Sequence, residues 1–155
     1  MKTSDDQLIM VIGLPGCGKT NLCRMLCKSE NYTMYDDFID RFVGSNILVE
    51  LRNGRKICVN DPRLCIKKVF DYYFNIFLNT LDNDHQRIKL MVFDNNPTQC
   101  KINIQYRMEP EASELKTFTR VCHSIDHFTI GYVLDNYMKC GVQFEIRQCF
   151  NSANN

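Results

Sequence analysis

Gly13-Leu14-Pro15-Gly16-Cys17-Gly18-Lys19-Thr20 decides how the rest of the chain reads. The stretch fits G-x-x-x-x-G-K-[ST], and its flanks give that pattern a mechanical meaning. Before it, Leu8-Ile9-Met10-Val11-Ile12 is an unbroken apolar run, as expected of a parallel strand buried on both faces. After it, Asn21 to Lys28 carries apolar residues at 22, 23, 26 and 27, a helical period. Strand, glycine loop and helix in that order make a phosphate cradle. The glycines let successive backbone N–H groups turn inward, and the first helical turn adds unpaired amides and a partial positive charge. Lys19 has the reach to meet β- and γ-phosphates, and the Thr20 hydroxyl is the group such a loop offers to Mg²⁺. All eight residues, Gly13 through Thr20, form the expected nucleotide-binding segment.

Composition narrows the setting. A chain of 155 residues reads as one domain, able to bury about 70% of its unfolded surface. Its net charge of +1 leaves no basic footprint for a long nucleic-acid track, although a short end or a small molecule fits. Met1–Asp6 is polar and acidic, and the apolar run after it is too short for a signal peptide or a membrane span. A cytoplasmic setting without a membrane partner is therefore expected, and the nine cysteines are read mostly as small buried hydrophobes. Cys17 is read differently, because a thiol at a helix N-terminus tends toward a lowered pKa and reactivity. Met1–Asp6 and Asn151–Asn155 are read as frayed tails.

Further strands are expected at 32–35, 56–60, 88–93 and 142–149. Helices are expected at 38–51 with a break at Gly44-Ser45, at 64–81, and at 97–107 with Asn96 as N-cap and Pro97 in the first helical position. A last helix, capped by Ser124 or Asp126, runs through Lys139. Met108–Thr117 is polar, contains Pro110, and reads as a mobile connection, with 108–118 as a lid. The aromatic run Phe70, Tyr72, Tyr73, Phe74 and Phe77 reads as core rather than as a base-stacking platform. Cys122, His123 and His127 match no zinc spacing with a second ligand pair. Strands alternating with helices imply a mostly parallel sheet covered on both faces, an α/β/α sandwich of the P-loop NTPase type. Ligands in such sheets collect at the carboxyl ends of the strands, so Asp36-Asp37, Asp61-Pro62-Arg63 and Asp94-Asn95 join the glycine loop as positions of interest.

On these residues the chain resembles the small P-loop kinases, and among them the kinase domain of the polynucleotide 5′-hydroxyl kinases, over about residues 8 to 107. Tyr35-Asp36-Asp37-Phe38 resembles that family's double-Asp stretch, whose first Asp is the general base. Val59-Asn60-Asp61 resembles the end of its third strand, and Val92-Phe93-Asp94 with Pro97 and Arg107 its fourth strand, following helix and lid arginine. Two positions depart from the pattern. Ile39 stands where the family carries an arginine, with Arg41 nearby but shifted, and Asn103 stands in place of a second lid arginine.

The resemblance implies a kinase that uses ATP and Mg²⁺ and passes the γ-phosphoryl to a hydroxyl, the 5′-OH of a nucleic acid being one candidate acceptor. It implies Lys19, Asp36 and Arg107 as catalytic residues, with Asp37 structural, and Thr20 and Asp61 on the metal. Asp61 and Asp94 both close apolar strands, so periodicity does not separate them. The family's strand order sets the third strand beside the first, which favours Asp61 and leaves Asp94 to support the entry of the next helix. Arg63 is assigned to the surface or the helix start rather than to phosphate, and Lys101, Lys116 and Arg120 are weaker substitutes for Arg107. The near-neutral charge and the two missing arginines keep a small-metabolite or nucleoside kinase open. A nucleotide-binding module that phosphorylates nothing is the third reading.

Overall fold

A sheet of five parallel strands carries the glycine loop at its centre. The strands are β1 (Leu8–Ile12), β2 (Thr33–Asp36), β3 (Ile57–Asn60), β4 (Ile88–Phe93) and β5 (Gln143–Arg147). The computed structural model describes residues 6–107, 112–132 and 134–152, with the side chains of 112–116 and 134 outside that description. Spatial order is β2-β3-β1-β4-β5, and every neighbouring pair runs parallel. β1 is buried at all five positions, which is why its sequence shows no alternation. The outer strands β2 and β5 carry Thr33, Asp36, Gln143, Glu145 and Arg147, polar residues that a central strand would not tolerate.

The helices are α1 (Lys19–Glu30), α2 (Ile47–Arg52), α3 (Lys67–Thr80), α4 (Pro97–Arg107), α5 (Ala112–Ile130) and α6 (Leu134–Met138). α1 packs on β1, β2 and β3, α2 packs on α3, and α4 packs on α5. Phe70, Phe74 and Phe77 of α3 are buried, and Phe38 meets Tyr73 edge-on at 5.2 Å between ring centroids. Each such aromatic contributes about 1.5–3 kcal/mol of burial free energy. The aromatic run is core, apart from the exposed Tyr72.

Asn96 caps α4 as its sequence suggests. Its Oδ1 accepts from the Gln99 amide at 3.1 Å, with Pro97 as the first helical residue. Asn96→Ala is expected to lower the unfolding free energy by about 1 kcal/mol, read from a urea titration with an unchanged m-value.

Five expectations are corrected. The break expected at Gly44-Ser45 is present, but the part of 38–51 before it is not α-helical. Phe38–Arg41 is a 3₁₀ turn, and α2 begins only at Ile47, after Gly44 with φ 137°. The helix expected from Leu64 starts instead as a 3₁₀ turn at Pro62–Cys65, and Ile66 is extended before α3 begins. Most of the expected connection at 108–117 is α5, while 108–111 lie outside the described residues. Phe118, Val121, Ile125 and Phe128 recur at helical spacing and pack on the core, so Ser124 and Asp126 sit mid-helix instead of capping one. α5 ends at Ile130 and α6 begins at Leu134, so the expected last helix is not one continuous element. Finally, the expected tails are held where they are described. Asp6 is buried and the Ser152 amide donates to Asn103, while 1–5 and 153–155 lie outside the described residues. Among the described residues no helix is long and apolar enough to cross a membrane.

Candidate phosphate-binding site

The loop between β1 and α1 turns through two left-handed glycines, Gly16 at φ 85° and Gly18 at φ 107°. Packing demands glycine there as strictly as the backbone does. A Cβ on Gly16 would lie 2.7 Å from the Cys100 carbonyl oxygen, and one on Gly18 would lie 3.0 Å from Phe150 Cβ. Gly18 offers no side-chain cap to α1, so the first amides of a 12-residue helix are left to an acceptor from elsewhere. Lys19 is buried, its Nζ donating to the Leu14 carbonyl at 2.8 Å across the loop. Thr20 follows in the first turn of α1, half-buried. Left-handed glycines, an uncapped helix start, a lysine folded over the loop and a following hydroxyl fit a nucleotide's phosphates and an associated divalent cation.

Cys17 corrects an expectation. Its side chain tucks under the loop, where a Cβ on Gly13 would come within 2.4 Å of its Sγ, and it is fully buried. Burial pushes its thiol up more strongly than the neighbouring Lys19 draws it down. The helix N-terminus does not make it a reactive thiol, because the residue is buried away from solvent.

Asn103 is the residue that sequence reasoning missed. It is buried on α4, and its Nδ2 donates to the carbonyls of Gly16 at 2.9 Å and Phe150 at 2.6 Å. Its Oδ1 accepts from Gln99 Nε2 at 2.9 Å and from the Ser152 amide at 3.1 Å. The Phe150 amide donates to the Cys17 carbonyl at 2.9 Å. Residues 149–152 thus close the side of the loop that β1 and α1 leave open. Asp94 supports the same closure, its Oδ1 accepting from the Cys149 amide at 2.7 Å. The only sequence signal was negative, an asparagine where the resembling family has an arginine. Arg107 lies four residues beyond Asn103 on the same helical stripe, exposed at the last position of α4.

The acidic strand ends gather beside the loop. β3 neighbours β1 with Val11 opposite Asn60, so Asp61 stands level with Ile12, where the loop leaves the sheet. Asp61 is fully buried and committed. Its oxygens accept from Arg63 Nε at 2.9 Å, Arg63 Nη2 at 2.7 Å, the Arg63 amide at 2.9 Å and the Ile39 amide at 3.3 Å. Arg63 Nη1 reaches Asp40 at 2.8 Å, and the hydrogen bonds that the guanidinium donates to Asp61 and Asp40 hold it charged. A metal bound directly by Asp61 would have to displace Arg63. Asp36 ends β2, and Asp37 follows at φ 47° in the left-handed region. Burial raises the Asp37 carboxyl above its ordinary 3.8, with Asp36 and Asp61 adding to the rise and Lys19 and Arg63 opposing it. Asp37, given only a structural role on sequence grounds, is therefore within electrostatic reach of Lys19, Asp61 and Arg63.

Other candidates lie apart. Lys101 pairs with Asp126 at 2.7 Å, Arg120 is exposed on α5, and the Lys116 side chain is outside the described residues. Among the described residues no group of three or more His, Cys, Asp or Glu is placed to hold a metal ion.

The fold has known counterparts. A gluconokinase from Sinorhizobium meliloti 1021 superposes with a TM-score of 0.63 over 99% of this chain and 87% of its own, at 7% identity. The YorR protein from Bacillus subtilis, solved in complex with phosphorylated GDP, superposes at 0.57 over 90% of this chain and 85% of its own, at 10% identity. The chain thus has the α/β P-loop fold of a kinase-like protein, with the sheet parallel throughout. No protein-family model matches it. In sequence it is 40% identical over 147 residues to uncharacterized protein R277 of Acanthamoeba polyphaga mimivirus, covering 94% of this chain and 99% of that one. The chain belongs to the same family as R277.

Proposed function

We propose that this protein is an ATP- and Mg²⁺-dependent phosphotransferase acting on a hydroxyl acceptor. The observation that carries the reading is the juxtaposition of Lys19, folded over a glycine loop with an uncapped helix behind it, and the carboxylates at the tips of the next two strands. Residues 13–20 hold the phosphates, and Lys19 leaves the Leu14 carbonyl to neutralise charge on the transferring group. The Thr20 hydroxyl holds the cation, which when bound neutralises the phosphate oxygens. Asp61 supports that side of the site through Arg63, and Arg107 covers the γ-phosphate from the end of α4.

Asp36, at the end of β2, takes the acceptor proton in this reading. Asp37 is the second candidate, favoured by its coupling to Lys19. For the acceptor, a small hydroxyl compound is preferred to a nucleic-acid 5′ end. The arginine nearest the strand tips, Arg63, is tied to two carboxylates, and Asn103 is buried where a phosphate-contacting arginine would stand.

The test is a transfer panel. Pure protein is incubated with γ-labelled ATP and 5′-OH DNA, 5′-OH RNA, nucleosides or small polyols. Label on a small acceptor is the expected result. Label on an oligonucleotide end would restore the polynucleotide reading, and nucleotide binding without transfer to any acceptor would remove the kinase assignment. With the acceptor in hand, Asp36→Asn is expected to lower transfer by about 10². If Asp37→Asn has the larger effect instead, Asp37 is the base. The acidic limb of the rate profile would then lie above pH 3.8, because a raised carboxyl stays protonated to higher pH.

A further inference from the structure

We propose that Cys100 and Cys149 form an oxidisable dithiol which a low-molecular-weight disulfide converts to a covalent staple behind the glycine loop. The two sulfurs are 3.7 Å apart, in van der Waals contact, and come from different elements. Cys100 is in the first turns of α4, with its carbonyl oxygen against Gly16, and Cys149 is two residues past β5, beside Phe150. Three hydrogen bonds fix the surroundings. Asp94 holds the Cys149 amide, and Asn103 and the Cys17 carbonyl hold Phe150.

Exposure assigns the roles. Cys149 is half-buried and open to a small reagent, whereas Cys100 is fully buried. The contact between the two sulfurs lowers the Cys149 thiol and raises that of Cys100. Cys149 is therefore the attacking group and Cys100 the resolving one. The Cys149 thiolate attacks one sulfur of the small disulfide, forming a mixed disulfide and releasing one thiolate. Cys100 then gives its proton to solvent and attacks the Cys149 sulfur, expelling the second thiolate. The protein loses two electrons and two protons, and the small disulfide becomes two thiols.

A second close pair makes an internal control. Cys23 on α1 and Cys58 on β3 are 3.2 Å apart, nearer than the proposed pair, yet both are fully buried between helix and sheet. If proximity alone governed oxidation they would bridge first. If access governs it, they stay reduced while the protein is folded.

The experiment treats the folded full-length protein with glutathione disulfide in the absence of nucleotide, then alkylates free thiols and maps peptides by mass spectrometry. The expected product is a Cys100–Cys149 linked peptide, two of the nine cysteines lost to alkylation, and full recovery on adding dithiothreitol. Cys100→Ser is expected to accumulate a stable glutathione adduct on Cys149, because the resolving thiol is gone. An unmodified Cys149, an adduct on the unmutated protein that never resolves, or a Cys23–Cys58 bridge forming first would each overturn the proposal. This readout is covalent and independent of phosphoryl transfer, so it stands or falls apart from the kinase reading.

Discussion

Gly16→Ala is expected to lower the unfolding free energy by about 3 kcal/mol and to abolish nucleotide binding. Two costs combine. A left-handed backbone at φ 85° costs an alanine about 1–2 kcal/mol. The new methyl would also stand 2.7 Å from the Cys100 carbonyl oxygen and 2.9 Å from Ile104 Cγ1, and forced overpacking of this kind costs about 1–3 kcal/mol. The carbonyl belongs to α4, which is pinned to the loop by Asn103, so it has little room to retreat. Relief must come from the loop itself, whose inward amides would turn away from a phosphate. Urea unfolding measures the first effect, and displacement of a fluorescent ATP analogue measures the second. A variant that binds the analogue as tightly as the unmutated protein would mean that the loop geometry does not make the site.

Lys19→Ala is expected to cut phosphoryl transfer by about 10³ while leaving the fold intact. The lysine places a cation at the loop, and on moving toward phosphate its Nζ gives up one bond to the Leu14 carbonyl and a long one to the Cys17 sulfur. That carbonyl also accepts from the Cys17 amide at 3.2 Å, so removing the lysine does not strand a buried acceptor. Stability and activity should therefore separate, with the thermal midpoint shifting by only a few degrees. Gly16→Ala damages both together. The contrast distinguishes a chemical role for Lys19 from a structural one, and a parallel fall in both quantities would refute the chemical role.

Local signals were readable and long-range ones were not. β1 announced itself because a strand buried on both faces needs an unbroken apolar run, and α4 because Asn96-Pro97 is a helix start with few alternatives. α5 was obscured by its polar composition, since its described apolar anchors, Phe118, Val121, Ile125 and Phe128, form a thin stripe. The orientation of Cys17 and the pairing of Asp61 with Arg63 follow from packing and side-chain geometry that spacing does not encode. Asn103 was the hardest to see, because its partners Gly16, Phe150 and Ser152 lie 87, 47 and 49 residues away in the chain.

Those separations bear on how the molecule is made. A ribosome releases the glycine turn early, but the segment that seals it, 149–152, follows only about 130 residues later. In the interval the turn lacks the hydrogen bond from Phe150, and contacts this distant in sequence form late and slowly. Nascent chains should therefore acquire affinity for triphosphate abruptly, once residues 149–152 have emerged, with the unsealed intermediate resting on β1, α1 and α4.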